Sequence, residues 1–152
     1  MPSRREFVLG AAGLVVSGFS ARQLAAVPTE RITVYKSQSC KCCALWVKHL
    51  EASGFGVQVF NEEAMDGLKD SLGVPQAVRS CHTALAGKYL IEGHVPAQDI
   101  RRLLAEKPKV LGLAVPGMPP GTPGMAQSES EAGGYTVLGF QSDGTTRTFS
   151  QH

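Results

Sequence analysis

The 152-residue chain is 43% hydrophobic and 18% charged, the composition of a single globular domain with one core rather than of a disordered or fibrous protein. Its 15 Lys and Arg against 13 Asp and Glu leave a formal net charge of +2. No basic stripe is present to neutralise phosphates, which excludes a nucleic-acid partner.

Paired arginines in Met1-Pro2-Ser3-Arg4-Arg5-Glu6-Phe7-Val8-Leu9 lead into an apolar, Gly/Ala-rich run, Gly10 to Phe19. That run is well short of the ~20 residues a spanning helix needs. The pattern reads as a twin-arginine export signal over residues 1–26, cut after Ala26 in Leu24-Ala25-Ala26-Val27; an uncleaved anchor or a cytoplasmic helix is the alternative. Cleavage removes Arg4, Arg5, Arg22 and Glu6 and leaves 12 basic against 12 acidic residues. Residues 27–152 are then expected to form one nearly neutral periplasmic domain with no membrane span, carrying an extension from about residue 126. Cysteines in an oxidising compartment become disulfides unless something such as a bound metal protects them.

Arg31-Ile32-Thr33-Val34-Tyr35 alternates and is β-rich, which predicts a first strand ending at the polar Lys36 to Ser39 loop. Cys40-Lys41-Cys42-Cys43 follows, and Cys43 to Ser53 has Trp46, Val47 and Leu50 at helical spacing with Gly54 as a stop. Gly56 to Phe60 alternates again, completing a β-α-β unit with a right-handed parallel crossover. Glu62 to Leu72 reads as a shorter helix with Met65, Leu68 and Leu72 on its apolar stripe, ended by Gly73-Val74-Pro75. Thr83 to Ala86 and Tyr89 to Glu92, separated by Gly87-Lys88, read as a β-hairpin. Pro96 suits the first position of a helix with Ile100, Leu103 and Leu104 buried, ending before Pro108. Leu111 to Met125 is too rich in Pro and Gly for a regular element, and Tyr135 to Phe140 with Thr145 to Phe149 form a terminal hairpin of unassigned role. The order β-α-β-α-β-β-α predicts an α/β, thioredoxin-like fold with a Pro/Gly-rich loop and a C-terminal β-hairpin.

Cys40 and Cys43 have the C-x-x-C spacing of thiol-disulfide exchange, and a helix N-terminus favours the thiolate. Cys42, lying between them, can scramble any disulfide its neighbours form. In a thioredoxin-like fold the segment before the hairpin lies opposite the C-x-x-C, and here it reads Ser80-Cys81-His82-Thr83, so four thiols are expected to converge. Four thiolates suit one tetrahedral zinc. Adjacent Cys42 and Cys43 would however point about 100° apart at ~3.6 residues per turn, which favours thiolates bridging several ions. Soft thiolates and thioethers select Cu(I), and this brings in Met118 and Met125 of the Pro/Gly loop, each equally able to fill an apolar gap. Met65 is expected in the core. His82 beside Cys81 and His94 at the hairpin exit are candidate ligands or structural residues in equal measure, and His49 and His152 are expected to be solvated.

At these residues the chain is similar to a known family. Cys40-Lys41-Cys42-Cys43 with Trp46, Ser80-Cys81-His82-Thr83-Ala84, Ile91-Glu92-Gly93-His94-Val95-Pro96-Ala97 and Gly112-Leu113-Ala114-Val115-Pro116-Gly117-Met118-Pro119 resemble the CopG family of exported copper-resistance proteins. The resemblance spans about Ile32 to Met125 and implies a thioredoxin-like domain holding copper through the cysteines with nearby His and Met, with Cu(I)/Cu(II) chemistry open to it. Lys41 stands where glycine is a familiar alternative and adds a positive charge beside the thiols.

The expectation is therefore an exported protein of copper homeostasis or resistance. Cys40, Cys42, Cys43 and Cys81 supply thiolates, with His94 and Met118 as the best further ligands and Met125 and His82 after them. Its partners are copper ions and other copper-handling exported proteins. A thiol-disulfide oxidoreductase using Cys40 and Cys43, a copper chaperone and a copper-dependent oxidoreductase remain open, with zinc as a minor alternative metal.

Overall fold

A computed structural model of the chain describes residues 30–152, so the signal read over residues 1–26 lies outside the described residues. Strand β1, Arg31–Lys36, alternates outward and inward, placing Ile32 and Val34 in the core. Helix α1, Lys41–Ala52, buries Cys43, Trp46, Val47 and Leu50, the single stripe that a 3.6-residue period demands. Strand β2, Gly56–Asn61, returns parallel to β1 and forms an exposed edge of the sheet. Helix α2, Met65–Leu72, begins three residues later than its apolar pattern suggests. Asn61 stays in β2, the Glu62 carboxylate accepts the Ala64 N–H at 2.7 Å, and Glu63 accepts from Ser37 and Gln38, so this acidic pair serves the turn instead of the helix.

A 3-10 turn at Gln76–Val78 leads into the hairpin of β3, Thr83–Ala86, and β4, Tyr89–Glu92, with the bounds expected from the sequence. Pro96 is the N-cap of α3, Ala97–Glu106, rather than its first residue. Part of the segment expected to be loop is strand β5, Gly112–Ala114, buried and parallel to β4. The C-terminal hairpin, β6 Thr136–Phe140 and β7 Thr146–Gln151, pairs with β5. The result is one seven-stranded mixed sheet, β2-β1-β3-β4-β5-β6-β7, in the α/β class that the element order predicts.

Register explains both faces. Val34, Ala84, Ile91 and Leu113 are paired in a row across four strands, and with Ile32 and Ala86 they form the floor beneath α1 and α3, which contribute Trp46, Leu50, Ile100 and Leu103. Leu90, Ala114 and Phe140 point to the other face, under Val74 and Val78. A second row, Tyr35, Thr83, Glu92 and Ala114, brings the ends of β1, β4 and β5 and the start of β3 to one edge. Every cysteine-bearing segment therefore emerges at the same end of the sheet, together with the turn that carries His94. No helix among the described residues is long and apolar enough to cross a membrane.

The loop after β5 closes over this end through Gly124. Its φ is +89°, and a Cβ there would lie 2.8 Å from the Trp46 nitrogen and 2.9 Å from the Cys42 carbonyl oxygen. Only glycine supplies both the backbone sign and the clearance. Gly124→Ala is expected to cost about 2–4 kcal/mol, combining left-handed strain and overpacking against α1; urea unfolding measures it, and an unchanged midpoint would show that the loop is not seated on the helix.

Candidate metal centre

Cys40 is the N-cap of α1, with an extended backbone and a side chain that makes no capping hydrogen bond, and its sulfur lies with the other three. Cys40 and Cys43 form a disulfide, with Cα atoms 5.4 Å apart, as one helical turn allows. Cys43 points into the core, while Cys42, rotated away from it, stays partly exposed, as does Cys81; these two are the free thiols. Cys42 Sγ is 3.5 Å from Cys40 Sγ, and the four sulfurs lie within 4.8 Å of one another. The convergence expected from the order of elements is present, but half of the sulfur is in disulfide form.

Cys81 connects the sulfur group to two imidazoles. Its Sγ is 3.1 Å from His94 Nε2 and 3.3 Å from His82 Nδ1. His94 Nδ1–H donates to the Pro123 carbonyl at 2.7 Å, which leaves the Nε2 lone pair facing Cys81 and holds the ring's orientation, as a carbonyl acceptor does for a metal-ligating histidine. Burial lowers the His94 pKa, and burial followed by the nearby His94 and Lys69 charges holds His82 well below the ordinary histidine value. His82 lies wholly inside, its ring 4.3 Å from the Trp46 ring, and its Nε2 has no partner among the described residues. Burial, then repulsion from Cys42, pushes the Cys81 thiol up to about 12. A metal cation is the kind of group that would displace that proton.

Beneath Cys81 and His94 is an ion pair with no sequence signal. Glu92, wholly buried at the end of β4, accepts from Lys69 Nζ, from the Ser80 N–H at 2.7 Å and from the Thr83 hydroxyl at 2.7 Å. Lys69 also donates to Thr83 at 2.8 Å and is itself buried. On α2 it is this lysine that faces inward, while Met65, expected in the core, is only half-buried. Burial raises the Glu92 pKa even though Lys69 and the hydrogen bonds oppose it. The pair fixes Ser80, the residue before Cys81, relative to the turn into His94. Gly93, in that turn, passes so close that a Cβ would meet Ser80 Oγ at 2.5 Å.

The two candidate methionines belong to the loop that covers the site. Met118 is 52% exposed, and the Gly117 before it is held by backbone and side-chain hydrogen bonds to Arg79 and Ser80. Met125 is half-buried and follows Gly124, the residue seated against the Cys42 carbonyl. His49 and His152 differ from the solvated state expected of them. His49 Nε2 accepts the Ala97 N–H at 3.1 Å, and His152 lies 2.7 Å from the Asp99 carboxylate, which Ser150 also bonds. Both take part in holding α3, and neither belongs to the sulfur cluster.

Soft sulfur with imidazole on a mixed α/β sheet defines a candidate site for soft metal ions. A family model described as a protein of unknown function, DUF411, matches residues 78–125. Two solved structures of the copper resistance protein CopG, Form 1 and Form 2, are 40% and 41% identical to this chain, with a TM-score of 0.74 for each. The matches cover 82% and 81% of this chain and 98% of each CopG chain. No curated protein matches it. The chain belongs to the CopG family of copper resistance proteins.

Removing one partner of a buried ion pair strands the other, at a cost of about 3–5 kcal/mol. Lys69→Met is expected to destabilise the protein by that amount in urea unfolding, and Lys69→Met with Glu92→Gln, which removes the charge but keeps an acceptor for the Ser80 N–H, to recover part of the loss. Equal destabilisation in the single and double variants would show that packing, not charge, is at stake.

Proposed function

We propose that this is an exported copper-binding protein of copper resistance that holds Cu(I), as several ions, in a cluster built from Cys40, Cys42, Cys43 and Cys81 once the disulfide is reduced. The observation that carries this reading is the convergence of four sulfurs within 4.8 Å, with His94 Nε2 aimed at one of them, in a relative of a copper resistance protein. His94 is the best nitrogen ligand because its tautomer is set by Pro123. His82 follows, since its Nδ1 reaches Cys81 while its other nitrogen is sealed in the core. Met118 and Met125 sit on the covering loop, from which thioethers can complete the coordination of a soft ion. The paired arginines at positions 4 and 5 support export to the periplasm, where other copper-handling proteins would be its partners.

The donor set fits the cargo. Thiolates take Cu(I) in preference to harder ions, and a neutral imidazole is available beside them. Four cysteinates also suit zinc, so metal analysis of anaerobically purified protein after growth in copper decides the metal.

A second reading is supported by the Cys40–Cys43 disulfide at the start of α1: a thiol-disulfide oxidoreductase. Cys42→Ser separates the two. A multi-ion cluster should lose copper per chain, read by mass spectrometry, whereas a dithiol enzyme should keep most of its turnover on a disulfide peptide. Full copper stoichiometry in that variant would sink the cluster.

Copper must also displace the Cys81 proton. With that thiol at about 12, the affinity should fall about tenfold for each unit by which pH drops through the neutral range, from this ligand alone. Competition with a pH-corrected Cu(I) chelator between mildly acidic and mildly alkaline buffer tests it. A flat profile would remove Cys81 from the ligand set.

A further inference from the structure

We propose that the Cys40–Cys43 disulfide sets the copper capacity of the site: closed, it leaves Cys42 and Cys81 as a one-ion Cu(I) site, and opened by a dithiol donor, it yields the larger cluster. This rests on the copper-binding reading and adds its regulation.

A disulfide sulfur carries no thiolate charge, so the closed bond withdraws two of the four soft anions. The two that remain are free, partly exposed and within 4.8 Å of each other. Cys81 is the sulfur that His94 faces, with its Nε2 lone pair 3.1 Å from Cys81 Sγ while Nδ1–H is tied to Pro123; His94 groups with Cys81 and His82 rather than with Cys42. Neither arm depends on Cys40 or Cys43. Cys81 is held from below through Ser80 and Glu92, and Cys42 is carried by α1 under Gly124. Two soft thiolates are a donor set that selects Cu(I).

Burial also assigns the order of opening. Cys43 is fully enclosed and Cys40 is partly exposed, so an incoming donor thiolate reaches Cys40 Sγ. The S–S bond breaks, a mixed disulfide forms at Cys40, and Cys43 leaves as a thiolate at the helix N-terminus, where the dipole favours the anion. The donor's second thiol then attacks the donor sulfur of the mixed disulfide and releases Cys40. The donor departs as a disulfide, having supplied two electrons and two protons, so a dithiol reductant must act before the larger cluster is loaded.

The test measures copper per chain and free thiols anaerobically, with Cu(I) added as its acetonitrile complex. Protein with two titratable thiols should bind one Cu(I), and protein reduced to four thiols and freed of reductant should bind more than one. Cys40→Ser with Cys43→Ala, which avoids a buried hydroxyl at the enclosed position, should bind one ion when its two remaining thiols titrate free, and no more after treatment with a dithiol reductant. Adding Cys81→Ser to that pair should weaken binding at least tenfold. Copper in the four-thiol form alone, or equal copper in both forms, would overturn the proposal and leave the copper-binding reading standing. No copper in either form would overturn both.

Discussion

Glu92 holds a carboxylate at the end of β4 with no solvent access, and three segments are tied to it. Lys69 reaches it from α2, Ser80 and Thr83 bond it from the start of β3, and the turn to His94 follows it in the chain. A buried carboxylate is tolerable only when its lone pairs are filled by donors of fixed position. That requirement fixes the backbone before Cys81 relative to His94. The 3.1 Å approach of sulfur to nitrogen follows from an ion pair that touches neither atom.

The other half of the site obeys a simpler rule. At the start of a helix, Cys42 and Cys43 diverge, so one joins the core beside Trp46 while the other stays at the surface with Cys81. Cys40, one turn before Cys43, lies within reach of both. The same crowding permits two chemistries: a disulfide between the outer pair, or soft-metal ligation by all four. The loop from Val115 to Met125 presses on this arrangement through Gly124 and anchors His94 through the Pro123 carbonyl, so the cover of the site also sets the tautomer of its nitrogen donor.

The C-terminal hairpin, without a role in the sequence, completes the sheet and braces α3. Asp99 on that helix accepts from Ser150 and lies against His152, while the Arg102 guanidinium sits 3.8 Å from the Phe149 ring and donates to the Phe149 carbonyl. These contacts hold the far side of the helix that begins just after His94.

Hydrophobic period and turn chemistry made β1, α1, β2, the β3–β4 hairpin, α3 and the terminal hairpin legible in the sequence: β1, α1 and α3 bury one face with their own repeat, and the others are marked by β-rich runs bounded by glycine turns. The cysteine spacing and the order of elements likewise placed Cys81 opposite Cys40, Cys42 and Cys43. Strand β5 escaped because three residues buried on both faces show no alternation and sit in a Gly/Pro-rich stretch. Lys69 and Glu92 escaped because a charged residue reads as solvated until tertiary packing brings a partner 23 positions away. His49 and His152 escaped for the same reason, since the Ala97 N–H and the Asp99 carboxylate belong to another helix. The sequence by itself determined which residue types meet at the site, through local period and spacing. Tertiary structure alone decided which sulfurs are joined, which nitrogen faces Cys81 and which buried charge holds them there, because each depends on distances between segments far apart in the chain.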